Sequence, residues 1–183
     1  MKTALLLIDI QKGFLSERFG KRNNPYAEER ISKILSHFRQ NNQPVIHVVH
    51  RSLSPEGAFY EDNNREIMVG FEPQENEPVF EKQVNSAFIG TSLEEYLREN
   101  EIQQLVIAGF TLPHCVSTTT RMAGNLGFDV TLLSDATVTF ALLDLSGKLV
   151  EPEELHRVNL ISLQGEFATV LTVDGYLKRV EIF

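Results

Sequence analysis

The stretch QQLVIAGFTLPHCVSTTTRMAGNLG, residues 103–127, decides the fold of this 183-residue chain. Its first eight residues, QQLVIAGF (103–110), carry an apolar run of the kind found in a strand buried on both faces. The segment HCVSTTTRMAGNLG (114–127) reads as a helix that ends on Gly127, a suitable residue for a left-handed C-terminal turn. A buried strand running into a helix is half of a β-α-β crossover, and such crossovers build parallel sheets. Between the two elements stands Cys115, the single cysteine of the chain.

The same pattern extends in both directions. TALLLID (3–9) is another continuous apolar run and ends in a carboxylate, Asp9. NPYAEERISKILSHFRQNN (24–42) places Ile31, Ile34, Leu35 and Phe38 at helical spacing after a proline. PVIHVVH (44–50) is rich in β-branched residues and predicts a second strand, and PVFEK (78–82) a short third one. TSLEEYLREN (91–100) begins with a good N-cap and continues as an amphipathic helix. FDVTLLSDA (128–136) reads as a strand and PEELHRVNLISLQGEF (152–167) as a helix, while ATVLTVDGYLKRVEIF (168–183) predicts one or two closing strands. This alternation predicts an α/β fold: one domain over residues 1–183, with a mostly parallel sheet between two helical layers.

Two segments stand outside the alternation. Residues 51–77 are polar and turn-rich, and a loop of that length within a compact domain is more often functional than idle. TVTFALLDLSGKLVEPEE (137–154) reads as an insertion that sets specificity or forms subunit contacts.

Composition narrows the function classes. Seventeen Lys and Arg against 25 Asp and Glu give a net charge of -8, which disfavours nucleic-acid and anionic-membrane partners. The opening MKTALLLIDIQKGF reads as a buried strand rather than a leader, because Asp9, Gln11 and Lys12 interrupt its apolar run. No apolar run approaches the ~20 residues that span a bilayer. A lone cysteine forms no internal disulfide and excludes a cysteine-based zinc cluster, so a reducing, cytoplasmic setting is expected.

In parallel sheets, ligands bind beyond the carboxyl ends of the strands. Asp9, Lys82 and Cys115 all fall there. A lone buried cysteine is most often a small hydrophobe, but at a helix start the dipole and free N–H groups favour a thiolate and can hold an oxyanion. Asp9 is suited to take the thiol proton and return it to a leaving amine. A lysine beside both groups would keep the carboxylate ionised and lower the thiol pKa. The histidines are weaker candidates. His47 and His50 point to opposite faces of one strand and cannot share a metal. His37 and His156 read as ordinary helix positions. His114 is either a base or part of the helix's first turn.

These residues resemble the isochorismatase-like cysteine hydrolase superfamily, which includes nicotinamidases and N-carbamoylsarcosine amidohydrolases. LLLIDIQKGF is similar to its first strand, EKQVNSAFIGTSLEEYL to its lysine segment and LVIAGFTLPHCVSTTTRMAGNLGFDVTLLSDA to its nucleophile segment. The resemblance implies six strands, an Asp9–Lys82–Cys115 triad, and a cis peptide between Phe110 and Thr111. It also implies an oxyanion hole from the N–H groups of Thr111 and Cys115, and C–N cleavage of a small amide or ureido compound through a thioester. Phe14 and Phe88 resemble positions that wall the substrate site, and Leu112 and His114 flank the nucleophile. The Asp-x-His metal site of nicotinamidases has no match in HVVHRSLSPEG, so neither a metal nor another cofactor is expected. Relatives commonly form homodimers or homotetramers. Leu112, where many relatives have threonine, and Pro113 depart from the usual pattern. Two other functions stay open: vinyl ether hydrolysis of the isochorismatase type, with Cys115 secondary, and a non-catalytic α/β binding domain.

Overall fold

The computed structural model describes residues 1–181. In chain order its elements are β1 (Lys2–Ile8), α1 (Ala27–Gln40), β2 (Val45–His50), the single-turn α2 (Asp62–Arg65), β3 (Val79–Lys82) and α3 (Leu93–Glu99). Then come β4 (Ile102–Phe110), α4 (Ser117–Asn125), β5 (Asp129–Val138), β6 (Leu142–Leu143), β7 (Leu149–Val150), α5 (Pro152–Leu163), β8 (Thr169–Leu171) and α6 (Val173–Glu181). Six strands form one sheet in the order β3-β2-β1-β4-β5-β8, every pair parallel. The chain steps outward from β1 to β3 and then returns to the other side of β1 with β4. The switch point, where open α/β sheets keep their ligands, therefore lies between β1 and β4.

Alternation along β1 explains the two helical layers. Leu5 and Leu7 join Ile31, Ile34 and Phe38 of α1 and Tyr176 of α6 on one face. Ala4, Leu6 and Ile8 join Leu93 and Leu97 of α3 and Ala123 of α4 on the other. Each of these leucines is fully buried, worth about 1.5–3 kcal/mol relative to exposure.

Three expectations change. The helix expected from His114 begins as a π-helical turn over Leu112–Val116, and regular α-helix starts at Ser117; Gly127 then closes it with φ 86°. The C-terminal segment contributes one strand to the sheet, Thr169–Leu171, and continues as α6. Val173, Tyr176 and Leu177 recur at helical spacing, and Tyr176 stacks on Phe38 at 6.2 Å, so α6 covers the α1 layer. Residues 182 and 183 of the expected last strand lie outside the described residues. In the 137–154 segment, β5 runs on to Val138 and β6 and β7 pair as an antiparallel hairpin. No helix among the described residues is long and apolar enough to cross a membrane.

Candidate active site

Three strand ends meet at the switch point. Asp9 follows β1, Lys82 ends β3, and Cys115 sits in the π-helical turn after β4. Lys82 Nζ donates to Asp9 Oδ2 at 2.8 Å, to His50 Nδ1 at 3.1 Å and to Cys115 Sγ at 3.2 Å. An ammonium has three N–H bonds, so all of them are used. Asp9 is 0% exposed, Lys82 1% and Cys115 8%.

Two backbone features allow this convergence. Asp9 adopts a left-handed conformation, φ 52°, which a short polar side chain tolerates better than an apolar one. At Gly109, φ is 134°, and a Cβ there would lie 2.0 Å from the carbonyl oxygen of Ile8. Glycine is thus required where β4 passes the strand end that carries Asp9. The Phe110–Thr111 peptide is cis.

The second oxygen of the carboxylate, Asp9 Oδ1, is buried and has no hydrogen-bond partner among the described residues. A buried acceptor is rarely left this way. Cys115 does not rest as a thiolate. Burial pushes its thiol up and the negative charge of Asp9 adds to this, outweighing Lys82, so that it reaches about 12. The thiol lies too deep, and too close to a carboxylate, for the expected lowering by Lys82 and the helix start to prevail.

His50 enters the same cluster, although sequence reasoning set it aside. Burial and then the Lys82 charge push its pKa down, against the pull of Asp9, so the imidazole is neutral at pH 7. An ammonium can only donate, so Nδ1 accepts from Lys82 and the imidazole proton resides on Nε2. His114 is held down by burial alone, and its Nδ1 pairs with Thr111 Oγ1 at 3.0 Å. Ligand-type atoms of Asp9, His50 and Cys115 lie within 4.8 Å of one another, a set that resembles a metal site. The cation bonded to all three is the Lys82 ammonium.

Cys115 opens onto a cavity of about 310 Å³. Phe14, Phe19, Phe59 and Phe140 form much of its wall, with Phe14 centred 4.9, 4.8 and 5.9 Å from the other three rings in turn. A Cβ on Gly13 would meet the Phe59 ring at 2.8 Å, so this glycine lets Phe59 close against the turn after β1. Of the sequence candidates for the pocket, Phe14 and His114 line it. Phe88 and Leu112 do not. Phe88 stacks on Phe128 at 6.1 Å in the α3–α4 layer, and Leu112, 0% exposed, packs in that same layer. Of the two residues that depart from the family pattern, only Pro113 touches the cavity.

Sequence reasoning missed His50, Asn85 and Gln11. His50 is the last residue of β2, so the strand-end rule that singled out Asp9 and Lys82 applies to it equally. Asn85 Oδ1 lies 3.7 Å from Cys115 Sγ and follows Lys82 closely in the chain. Gln11 accepts from the His50 N–H at 2.7 Å and donates to the carbonyls of His50 and Arg65 at 2.9 Å each. Phe19, Phe59 and Phe140 had one signal, an aromatic ring in a polar or irregular segment that must be buried somewhere.

Comparison with known proteins places the chain in a family. The isochorismatase domain model matches residues 3–175. The isochorismatase family protein YrdC of Bacillus subtilis is 47% identical over 97% of this chain and 95% of its own length. Nicotinamidase 3 of Arabidopsis thaliana is 30% identical over 93% of this chain and 85% of its own. An isochorismatase-family crystal structure from Chromobacterium violaceum superposes with a TM-score of 0.95 at 37% identity, covering 100% of this chain and 95% of that one. The chain belongs to the isochorismatase-like hydrolase superfamily.

Proposed function

We propose that the protein hydrolyses a C–N bond of a small amide or ureido compound through a thioester on Cys115. The observation that carries this reading is a protonated thiol beside a buried carboxylate oxygen that lacks a partner. The similarity to a nicotinamidase supports amide chemistry.

In the proposed cycle the Cys115 proton passes to Asp9 as Sγ bonds to the substrate carbonyl carbon. The N–H groups of Thr111 and Cys115 receive the oxyanion. The intermediate collapses with cleavage of the C–N bond, and Asp9 gives its proton to the departing nitrogen. Water then attacks the thioester, Asp9 takes one of its protons, and the acid leaves as that proton returns to sulfur. The sum is amide plus water to acid plus amine. Lys82 holds Asp9 Oδ2 by a hydrogen bond before the first transfer and offsets charge on sulfur during attack. Because the thiol rests near 12, proton transfer and attack must be coupled, which suits a base within 4.8 Å of the sulfur.

The test is intact-protein mass spectrometry across a panel of primary amides. An acyl adduct on the wild type, absent from Cys115→Ala, is the expected result. Turnover that survives in Cys115→Ala with a native fold would sink the thioester route and favour the vinyl ether alternative, in which the aspartate works alone.

A further inference from the structure

We infer that the cavity selects substrates with an uncharged, apolar acyl group and rejects acyl groups that carry a carboxylate. This deepens the proposed amide hydrolysis and rests on it for the reacting end of the substrate. The lining includes four phenylalanines with Ala58, Pro113 and Leu142, and none of its residues is lysine, arginine, aspartate or glutamate. Its two imidazoles, His50 and His114, are both held below their ordinary pKa by burial and are neutral at pH 7. The lining therefore supplies no formal charge to meet an anion.

The cations near the cavity lie outside its lining. Lys82 spends its three N–H bonds on Asp9, His50 and Cys115. Arg22 lies over the Phe110 ring but forms two bonds to Glu28, at 2.7 and 2.6 Å. Arg18, over the Phe19 ring at 5.9 Å, donates to the Glu56 carbonyl. Burying an unpaired anion here is unfavourable, whereas a ring or short alkyl chain finds aromatic partners on several sides. The volume, about 310 Å³, lies at the small end of the roughly 300–1,000 Å³ range of ligand cavities, which suits an acyl group of about one ring. Isochorismate, a dicarboxylate, is the wrong chemistry for this wall. The family name thus misdescribes what this cavity receives.

Matched amides test the idea. Benzamide and 4-carbamoylbenzoate present the same reacting amide and differ by one carboxylate. The kcat/KM for benzamide should exceed that for 4-carbamoylbenzoate by about 100-fold or more, as expected for an unpaired charge against an apolar wall. Leu142→Arg adds a cation at a rim position that is 36% exposed, and should narrow this ratio by about tenfold. Equal or better turnover of the carboxylated amide, with Cys115 acylated, overturns the inference and leaves the hydrolase reading intact. If neither amide acylates Cys115, the hydrolase reading fails and a binding measurement still decides the pocket. Benzaldehyde, to which the thiol adds across the carbonyl, should raise the melting temperature of the wild type, and 4-formylbenzoate should not. Equal stabilisation by the two aldehydes overturns the inference.

Discussion

Lys82→Met removes the ammonium and keeps a side chain of similar length. In the native protein Asp9 has one oxygen bonded to Lys82 at 2.8 Å and the other without a partner, and neither residue is more than 1% exposed. The substitution leaves a carboxylate with no countercharge and no access to water. Breaking a buried pair from one side costs about 3–5 kcal/mol, because the abandoned charge stays desolvated. Adding Asp9→Asn removes that charge. What then remains is the loss of hydrogen bonds among neutral groups, about 1–3 kcal/mol. The double variant should therefore be more stable than Lys82→Met by about 2 kcal/mol, although it carries one more substitution. Urea unfolding followed by circular dichroism at neutral pH measures all three proteins. A Lys82→Met stability within about 1 kcal/mol of the wild type, or a double variant no more stable than the single one, would refute an uncompensated buried charge. Hydrolysis should be abolished in both, so the second change restores stability without restoring turnover.

Alkylation of Cys115 by iodoacetamide should accelerate about tenfold per pH unit up to about pH 10 without a plateau, since only the thiolate reacts and the thiol sits near 12. A plateau near neutrality would show an activated thiolate and contradict the coupled transfer proposed above. At the opposite end of the sheet from the cavity, burial would raise the Glu77 carboxyl, but bonds from Arg39, the Gln74 N–H and His47 outweigh it and hold it at about 2. A lowered carboxylate stabilises the fold above its ordinary value of 4.5, and that contribution is lost as pH falls toward 2. Glu77→Gln should thus cost about 1–3 kcal/mol at neutral pH, with the gap closing in acid; a gap that does not change with pH refutes the assignment.

The sheet was legible because its chemistry is local. Runs such as TALLLID and QQLVIAGF have to be buried on both faces, and a carboxylate or cysteine at the end of such a run has few other places to be. Lys82 was harder, since nothing in PVFEK shows that the lysine turns inward; only the packing of β3 beside β2 brings its ammonium to Asp9. The pocket wall was least legible. Phe59 and Phe140 lie far apart in irregular segments and come together around Phe14 through tertiary packing, which has no period to read. Phe88 misled for the converse reason: its neighbours in the chain belong to the site, yet its ring faces Phe128. The helix α6 was misread because β-branched residues at 169–173 suggest strand, while its apolar spacing from Val173 onward is helical.

Gln11 carries a consequence for redesign. Where Asp9 turns the backbone out of the sheet, the Gln11 side-chain amide stands in for a peptide group, extending the contact with β2 at His50 and fastening Arg65 with its remaining N–H. The covering segment is thereby anchored at both ends, since the Arg51 N–H also bonds the Lys82 carbonyl at 2.9 Å. Between those moorings the segment supplies Ala58 and Phe59 to the cavity wall. Transplanting residues 53–64 from another scaffold should change what the cavity accepts while the Asp9–Lys82 pair stays in place, provided that Gln11, Arg51 and Arg65 remain those of the host.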